Sequence, residues 1–469
     1  MVIGLDIGTT NVKAVAFDDD GRIVRASERH NTTLCPAPGF SEQEPEAVFQ
    51  NVTAVLDDVL SHIGSSETLH GVVLSSAMHG LMAVDASGNP LTNILLWSDL
   101  RADEVARALR QGGEGAALYQ RTGVPVHAMS PLVKLIWMRR RRPDIFHKAH
   151  KFLGIKDYVW YRLTGKYEVD LSVASATGLM NIRDKQWDDN ILSSAGISLT
   201  RLPEIVSTTH RATLASGVPI CIGASDGALA NLGSGATAPG QVAVTVGTSA
   251  AIRTVVQQPV LDAQQRSFCY CLDAQRYIVG GASNNGANVL EWLRSALFRS
   301  PLTAEAFANQ ALDVPPGAEG LLFLPWLFGE RAPLYDAQAQ GALHGLRASH
   351  TQAHAVRAAM EGVIFNLRLI AEALEAHAPI ETLHASGGFS HSDLWVRMLA
   401  DIFQKPVALS GDGADASVQG AVRLGREVFG LPPLAARKVE RLVAPGTAGE
   451  GIYRDIYDLF KRLARQEVA

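Results

Sequence analysis

Two stretches about half a chain apart obey one grammar. Residues 2–17 read VIGLDIGTTNVKAVAF and residues 241–256 read QVAVTVGTSAAIRTVV. Each alternates apolar with small or polar residues on both sides of a Gly-Thr turn, the pattern of a β-hairpin. Two such hairpins at this separation predict two similar α/β domains, and 469 residues exceed one ordinary core in any case. The run NLGSGATAPG at 231–240 lies between the copies and is rich in turn formers. We therefore place the domains at 1–235 and 236–469 and expect a hinge in that run.

Further elements follow from periodicity and breakers. Strands are expected at 70–75, 93–97 and 381–385, and a helix at 132–142 that Pro143 stops. A second helix presents Leu394, Trp395, Met398, Leu399, Ile402 and Phe403 on one face, with Ser390 and Asp393 as its cap. Ile452, Ile456, Leu459, Phe460 and Leu463 mark a final amphipathic helix. The net charge of −5 gives no electrostatic case for nucleic acid, and no run of about eighteen apolar residues suggests a membrane span. The four cysteines form no CxxC pair and no secretory signal is visible, so a reducing, cytoplasmic setting is expected.

The chemistry-bearing residues sit at strand ends. Asp226 ends the apolar run VPICIGAS, a way to aim a general base into a cleft. Asp6 precedes Gly8, Thr9, Thr10 and Lys13, so one segment offers a carboxylate, a turn with hydroxyls and a cation. Asp6 suits Mg²⁺, and the turn suits phosphate oxygens. Gly247 and Thr248 repeat that turn in the second copy. Met78 and His79 follow a strand; the ring suits substrate hydroxyls and the thioether suits carbons. Trp97, Asp99 and Arg101 also follow a strand and suit a polyol or sugar acid, unless Asp99 and Arg101 only pair with each other. Gly387 and Gly388 open a helix where a flat ring can approach bare backbone. Neither a Walker loop nor a protein-kinase glycine loop is present.

Longer segments carry a resemblance. MSPLVKLIW at 129–137 and GALHGL at 341–346, continued to Glu361, resemble the two signatures of the FGGY carbohydrate kinases. SSAMHGLMAVD, PLTNILLW, IGASDGALANLG, VTVGTSAAIRTV and LFGERAPLYDA are similar to the gluconokinase branch of that family. Gly80 departs towards the Met-His-Gly of xylulokinases, Ala355 replaces a larger apolar residue, and Asp415 stands where Glu is commoner, a change expected to matter little. The resemblance implies two ribonuclease-H-like domains, as in actin and hexokinase, around a cleft. It implies ATP and Mg²⁺, with Asp226 as base and Asp6 placing the metal. It also implies Thr10 and Thr248 near the phosphates, Gly387 and Gly388 by the adenosine, and Met78, His79 and Asp99 near the acceptor. The acceptor so implied is D-gluconate, with D-xylulose or another polyol as the alternative, and Arg101 or His79 would meet the gluconate carboxylate. A homodimer is the family habit. The competing class is an actin-like nucleotide-dependent assembly protein.

Overall fold

Both hairpins form, and each seeds a sheet. In this computed structural model, which describes residues 1–64, 68–410, 415–435, 438–447 and 449–468, Val2–Ile7 pairs antiparallel with Asn11–Phe17, and Ile23–His30 extends the meander. On the other side of Val2–Ile7, Gly71–Ser76 and then Pro219–Ser225 run parallel, and Arg211–Thr213 closes that edge antiparallel. The second sheet repeats the plan. Gln241–Val246 pairs with Ala250–Val256, Tyr277–Ser283 continues antiparallel, and Thr382–Ser386 and Val407–Ser410 run parallel on the opposite side. Phe268–Cys271 and Val439–Val443 cap the two edges. Three antiparallel strands followed by parallel ones, twice over, is the ribonuclease-H-like arrangement that the family resemblance implies.

The parallel strands are buried because helices cover both faces. Pro45–Ser61 and Ile155–Thr164 pack on one face of the first sheet through Val52, Val55, Tyr158 and Trp160. The other face is covered by Asp226–Ser234 and by Ala416–Val428, whose Val418, Ala421 and Val422 join Val2, Val15 and Val73 in one cluster. A helix from near the end of the chain thus completes the N-terminal sheet.

That helix corrects the reading of 231–240. Residues to Ser234 belong to the buried helix Asp226–Ser234, not to a loose junction. A Cβ on Gly233 would lie 1.8 Å from the Ala416 carbonyl, and one on Gly420 would lie 1.8 Å from the Leu229 carbonyl. The two helices therefore touch backbone to backbone, each through its own glycine, and only 235–240 remains as connecting loop. Other expectations shift by small amounts. The strand expected at 93–97 is only Ile94–Leu95, while the helix expected at 132–142 spans Pro131–Arg141 and stops before Pro143, which opens the next helix, Pro143–Lys148. Proline suits that position because the first helical N–H has no partner to lose. The helix Asp393–Phe403 is capped by Ser392, whose Oγ accepts from Trp395, while Ser390 bonds the Gly387 carbonyl instead.

Gly420→Ala is expected to cost roughly 1 to 3 kcal/mol, the usual penalty for overpacking a tight crossing. A thermal melt checks it, and an unchanged melting temperature would mean that the crossing is looser than described.

Candidate active site

The strand Pro219–Ser225 delivers Asp226 by way of a bulge. Its register against Gly71–Ser76 slips between Cys221 and Ala224, where Gly223 takes a φ of +67°. Only glycine fits there, since a Cβ would meet the Leu74 carbonyl at 1.8 Å. Ser225 then caps the helix, its Oγ accepting from the Ala228 N–H at 3.4 Å and sharing a hydrogen bond with Ser172 at 2.9 Å. Asp226 is the first helical residue. Its Oδ1 accepts from the Gly227 N–H at 2.6 Å, which leaves Oδ2 for a ligand. Burial pushes its carboxyl above the ordinary range, against the opposing pull of Arg253, the Gly227 N–H, Lys156 and Arg331.

Two cavities meet at this carboxylate. One of about 430 Å³ is lined by Asp6, Thr245, Gly387, Gly388, Asp415 and Ser417 among others. The other, of about 160 Å³, is lined by Met78, His79, Trp97, Tyr270, Arg331 and Tyr335 among others. Asp226, Gly227 and Arg253 are the residues that border both. The larger space suits a nucleotide and the smaller a compact acceptor.

Asp6 faces Asp226 across the larger cavity. Ser75 and Ser417 donate to its two oxygens at 2.6 and 3.1 Å. Burial and the Asp226 charge push its carboxyl up to about 6. No cluster of three or more His, Cys, Asp or Glu among the described residues is arranged to hold a metal. A carboxylate whose charge is raised in energy by burial and by Asp226 fits Mg²⁺, which keeps most of its waters and takes its remaining ligands from phosphates. Asp415 is more than a neutral variant of Glu: it pairs with Lys13 at 2.8 Å and so binds the C-terminal helix start to the first hairpin.

His79 borders the acceptor cavity with a φ of +68°, rare for a residue with a side chain. Its Nδ1 lies 2.9 Å from the Ala176 carbonyl, so Nδ1–H donates and Nε2 is left as an acceptor. Burial, with the charges of Lys134 and Arg331, holds its pKa down to about 3, so the ring is neutral. Lys134, from the helix Pro131–Arg141, is buried and donates to the carbonyls of His79, Leu95 and Leu96 at 2.7, 3.2 and 2.6 Å. One ammonium thereby fixes both loops that carry His79 and Trp97.

The comparisons with known proteins agree with this geometry. Residues 1–233 match the N-terminal domain of the FGGY family of carbohydrate kinases, and residues 242–426 match its C-terminal domain. The chain belongs to the FGGY family of carbohydrate kinases. This FGGY kinase is 37% identical to a gluconokinase of Bacillus subtilis over 90% of its own length and 86% of the relative's. It is 29% identical to a xylulose kinase of Staphylococcus xylosus over 98% of its length and 99% of that relative's. Two solved structures from Lactobacillus acidophilus, one described as gluconate kinase and one as ligand-bound xylulose kinase, each superpose with a TM-score of 0.94 at 32% identity, covering 100% of this chain and 98% of theirs. The overall fold therefore does not separate the two acceptors.

Within this kinase the expected site residues divide. Asp6, Asp226, Gly387 and Gly388 line the larger cavity, and Met78 and His79 line the smaller one. Asp99 lines neither. It is fully buried, accepting from the Ser41 N–H at 2.7 Å and from Arg101 at 2.8 Å. Arg101 also reaches Glu42 at 2.7 Å and covers the Phe40 ring, so both ions stitch two loops together. Trp97 is the member of that segment that reaches the acceptor cavity. Gly80 lines neither space. The first Gly-Thr turn also stands outside both: the Gly8 N–H closes the hairpin on the Asn11 carbonyl, and Thr9 accepts from Trp97 at 3.1 Å. The Gly247 N–H is likewise spent on Ser249. The hydroxyls of Thr10 and Thr248 are exposed at the turn tips.

Arg253, Tyr270, Arg331 and Tyr335 were not anticipated. Arg253 had one signal, a lone charge in the apolar strand AAIRTVV. Tyr270 had alternation: Cys269 and Cys271 both point to the core, so the residue between them faces the other way.

Asp6 ionises less readily in the fold than in the unfolded chain, whose value is near 3.8. Its stabilising share is therefore present below that value and is lost as pH rises through about 6. Asp6→Asn is expected to stabilise the ligand-free protein by roughly 1 to 3 kcal/mol near neutral pH and hardly at all near pH 4. Melting curves at both pH values check it; a destabilised variant at neutral pH would refute the electrostatic reading.

Proposed function

We propose that this carbohydrate kinase transfers the γ-phosphoryl group of ATP to the terminal hydroxyl of D-gluconate, with Asp226 as general base. The observation that carries the acceptor is the charge of the smaller cavity. Arg253 and Arg331 are largely withdrawn from solvent there; Asp226 acts on both, and Glu330 acts on Arg331 as well. Burial pushes the Glu330 carboxyl up to about 7, so near neutral pH it offsets only part of the Arg331 charge. Such cations without equal countercharge favour an anionic guest over a neutral ketose. Arg331 is the carboxylate ligand in this reading. It is held by Asn284 at 2.8 Å and the Ser283 carbonyl at 3.1 Å and lies over the Trp97 ring, with Nη1 left unbonded.

The chain's own groups then divide the work. His79 Nε2 accepts from a sugar hydroxyl, and Met78 and Trp97 pack against the carbons. Asp226 Oδ2 orients the terminal hydroxyl and takes its proton as the new P–O bond forms and the bond to the β-phosphate oxygen breaks. The transition state of such a transfer is loose, so alignment and charge neutralisation supply most of the rate. Mg²⁺ held by Asp6 would supply part of that neutralisation. The exposed hydroxyls of Thr10 and Thr248 would meet phosphate oxygens when the lobes close, and closure over a bound sugar would keep water from the phosphoryl group. A homodimer follows family habit.

Four outcomes test this. A coupled ADP-release assay over gluconate, xylulose, glycerol and ribulose should give the highest kcat/KM on gluconate; a preference for xylulose would transfer the acceptor to the other branch. Asp226→Asn should lower kcat by about 10³-fold or more while ADP still binds. Arg331→Met should raise KM for gluconate by about 10- to 100-fold, the loss expected for a charge-assisted contact, and an unchanged KM would remove Arg331 from the role. Because the Asp226 carboxyl is raised and the base must be ionised, kcat/KM should fall on acidification at a pH above the ordinary aspartate range.

A further inference from the structure

We propose that Arg253 is a second catalytic residue, whose guanidinium takes the phosphoryl group in flight at the point where the two cavities meet. The inference rests on phosphoryl transfer at Asp226 and is independent of which sugar is the acceptor.

Geometry carries it. Arg253 comes from the strand Ala250–Val256 of the second sheet, yet it borders both cavities, a property shared with Asp226 and Gly227. The reacting oxygen and phosphorus must lie where the two spaces join, so a cation bordering both is beside them. Its guanidinium is partly buried and, among the described residues, makes no hydrogen bond or ion pair, while its backbone is held between Ala243 and Gly280 in the sheet. The buried cations Lys134, Lys156 and Arg357, by contrast, are each bonded to carbonyls or carboxylates. A guanidinium that opens on two cavities, with five donors and no protein acceptor, is free to bond an anionic ligand there. Gly227 keeps the space in front of it open: a Cβ there would stand 3.2 Å from Met78 Cε and 3.6 Å from Arg253 Nε. A planar fork with free donors matches two oxygens of a phosphoryl group.

The position also separates Arg253 from Arg331. In a linear sugar acid the carboxylate lies at the end opposite to the reacting hydroxyl. Arg331 borders the acceptor cavity alone, so it fits the carboxylate, while Arg253 fits the group that arrives from the nucleotide side. In the ground state Arg253 steadies the terminal phosphate. In the transition state it meets charge spread over the equatorial oxygens, and it needs no reorganisation to do so. The proton still goes to Asp226 and the leaving electrons to the β-phosphate.

Arg253→Met and Arg253→Lys test the proposal. Both should fold, since the guanidinium makes no hydrogen bond that its removal would break, and circular dichroism with a melt establishes that. With the acceptor preferred by the wild type, Arg253→Met should lower kcat by about 10²- to 10³-fold, as for loss of one preorganised donor, and leave acceptor KM within a few-fold. Arg253→Lys should recover part of the loss. By calorimetry, affinity for ADP should be unchanged, and the added affinity for ADP with aluminium fluoride and sugar should disappear. The charges facing Asp226 are Asp6 from the first hairpin, Lys156 from the helix Ile155–Thr164, Arg253 and Arg331. Losing one of these cations leaves the base harder to ionise, so the acidic limb of kcat/KM should move to higher pH in Arg253→Met. An unchanged kcat, a loss confined to acceptor KM, or an unmoved limb would each overturn the proposal. If Arg253→Met keeps its rate while Asp226→Asn loses it, only the role of Arg253 fails; if both keep their rates, the site itself is misplaced.

Discussion

A carboxylate withdrawn from water and held near two guanidiniums governs this molecule. Asp226 has little solvent to stabilise its charge, and the compensation comes from elements far apart in sequence: Arg253 in the second hairpin, Arg331 after a long connection, and Lys156 from a helix of the first domain. Burial makes it a stronger base, and the cations keep it ionised. Neither effect alone gives a carboxylate that both holds its charge and accepts a proton.

The clamp between the helices Asp226–Ser234 and Ala416–Val428 converts that local chemistry into a two-sided site. Because the helices meet through Gly233 and Gly420, the start of the second helix arrives beside the first hairpin. Ser417 reaches Asp6, and Asp415 reaches Lys13. The nucleotide cavity thus has walls from both halves of the chain, and Asp6 and Gly387 line one space although the sheets that carry them are separate. The tight crossing lies against the first sheet, so any closure must involve the remaining connection and the outer parts of the second lobe.

Much of this was legible in the sequence. The repeated hairpin carried the two sheets, and strand-end position carried Asp6, Asp226, Met78 and His79, because period-2 alternation and glycine turns are local signals. What escaped depended on partners distant in the chain. Asp99 and Arg101 looked like ligands for a polyol, but each satisfies the other within a buried network that includes Ser41 and Glu42. The run at 231–240 looked like a hinge because glycine and serine favour turns; its first residues are small because another helix lies on them. Arg253 and Arg331 gave no periodic signal, since their importance comes from lying beside Asp226, which is distant from both in the chain.

The most direct measurement is a crystal structure of the closed complex with ADP, aluminium fluoride, Mg²⁺ and gluconate. The account requires the Asp226 carboxylate at about 2.6 to 3.2 Å from the terminal hydroxyl oxygen, in line with the metal fluoride. A carboxylate turned away from every bound hydroxyl, with the lobes shut and the sugar ordered, would contradict it.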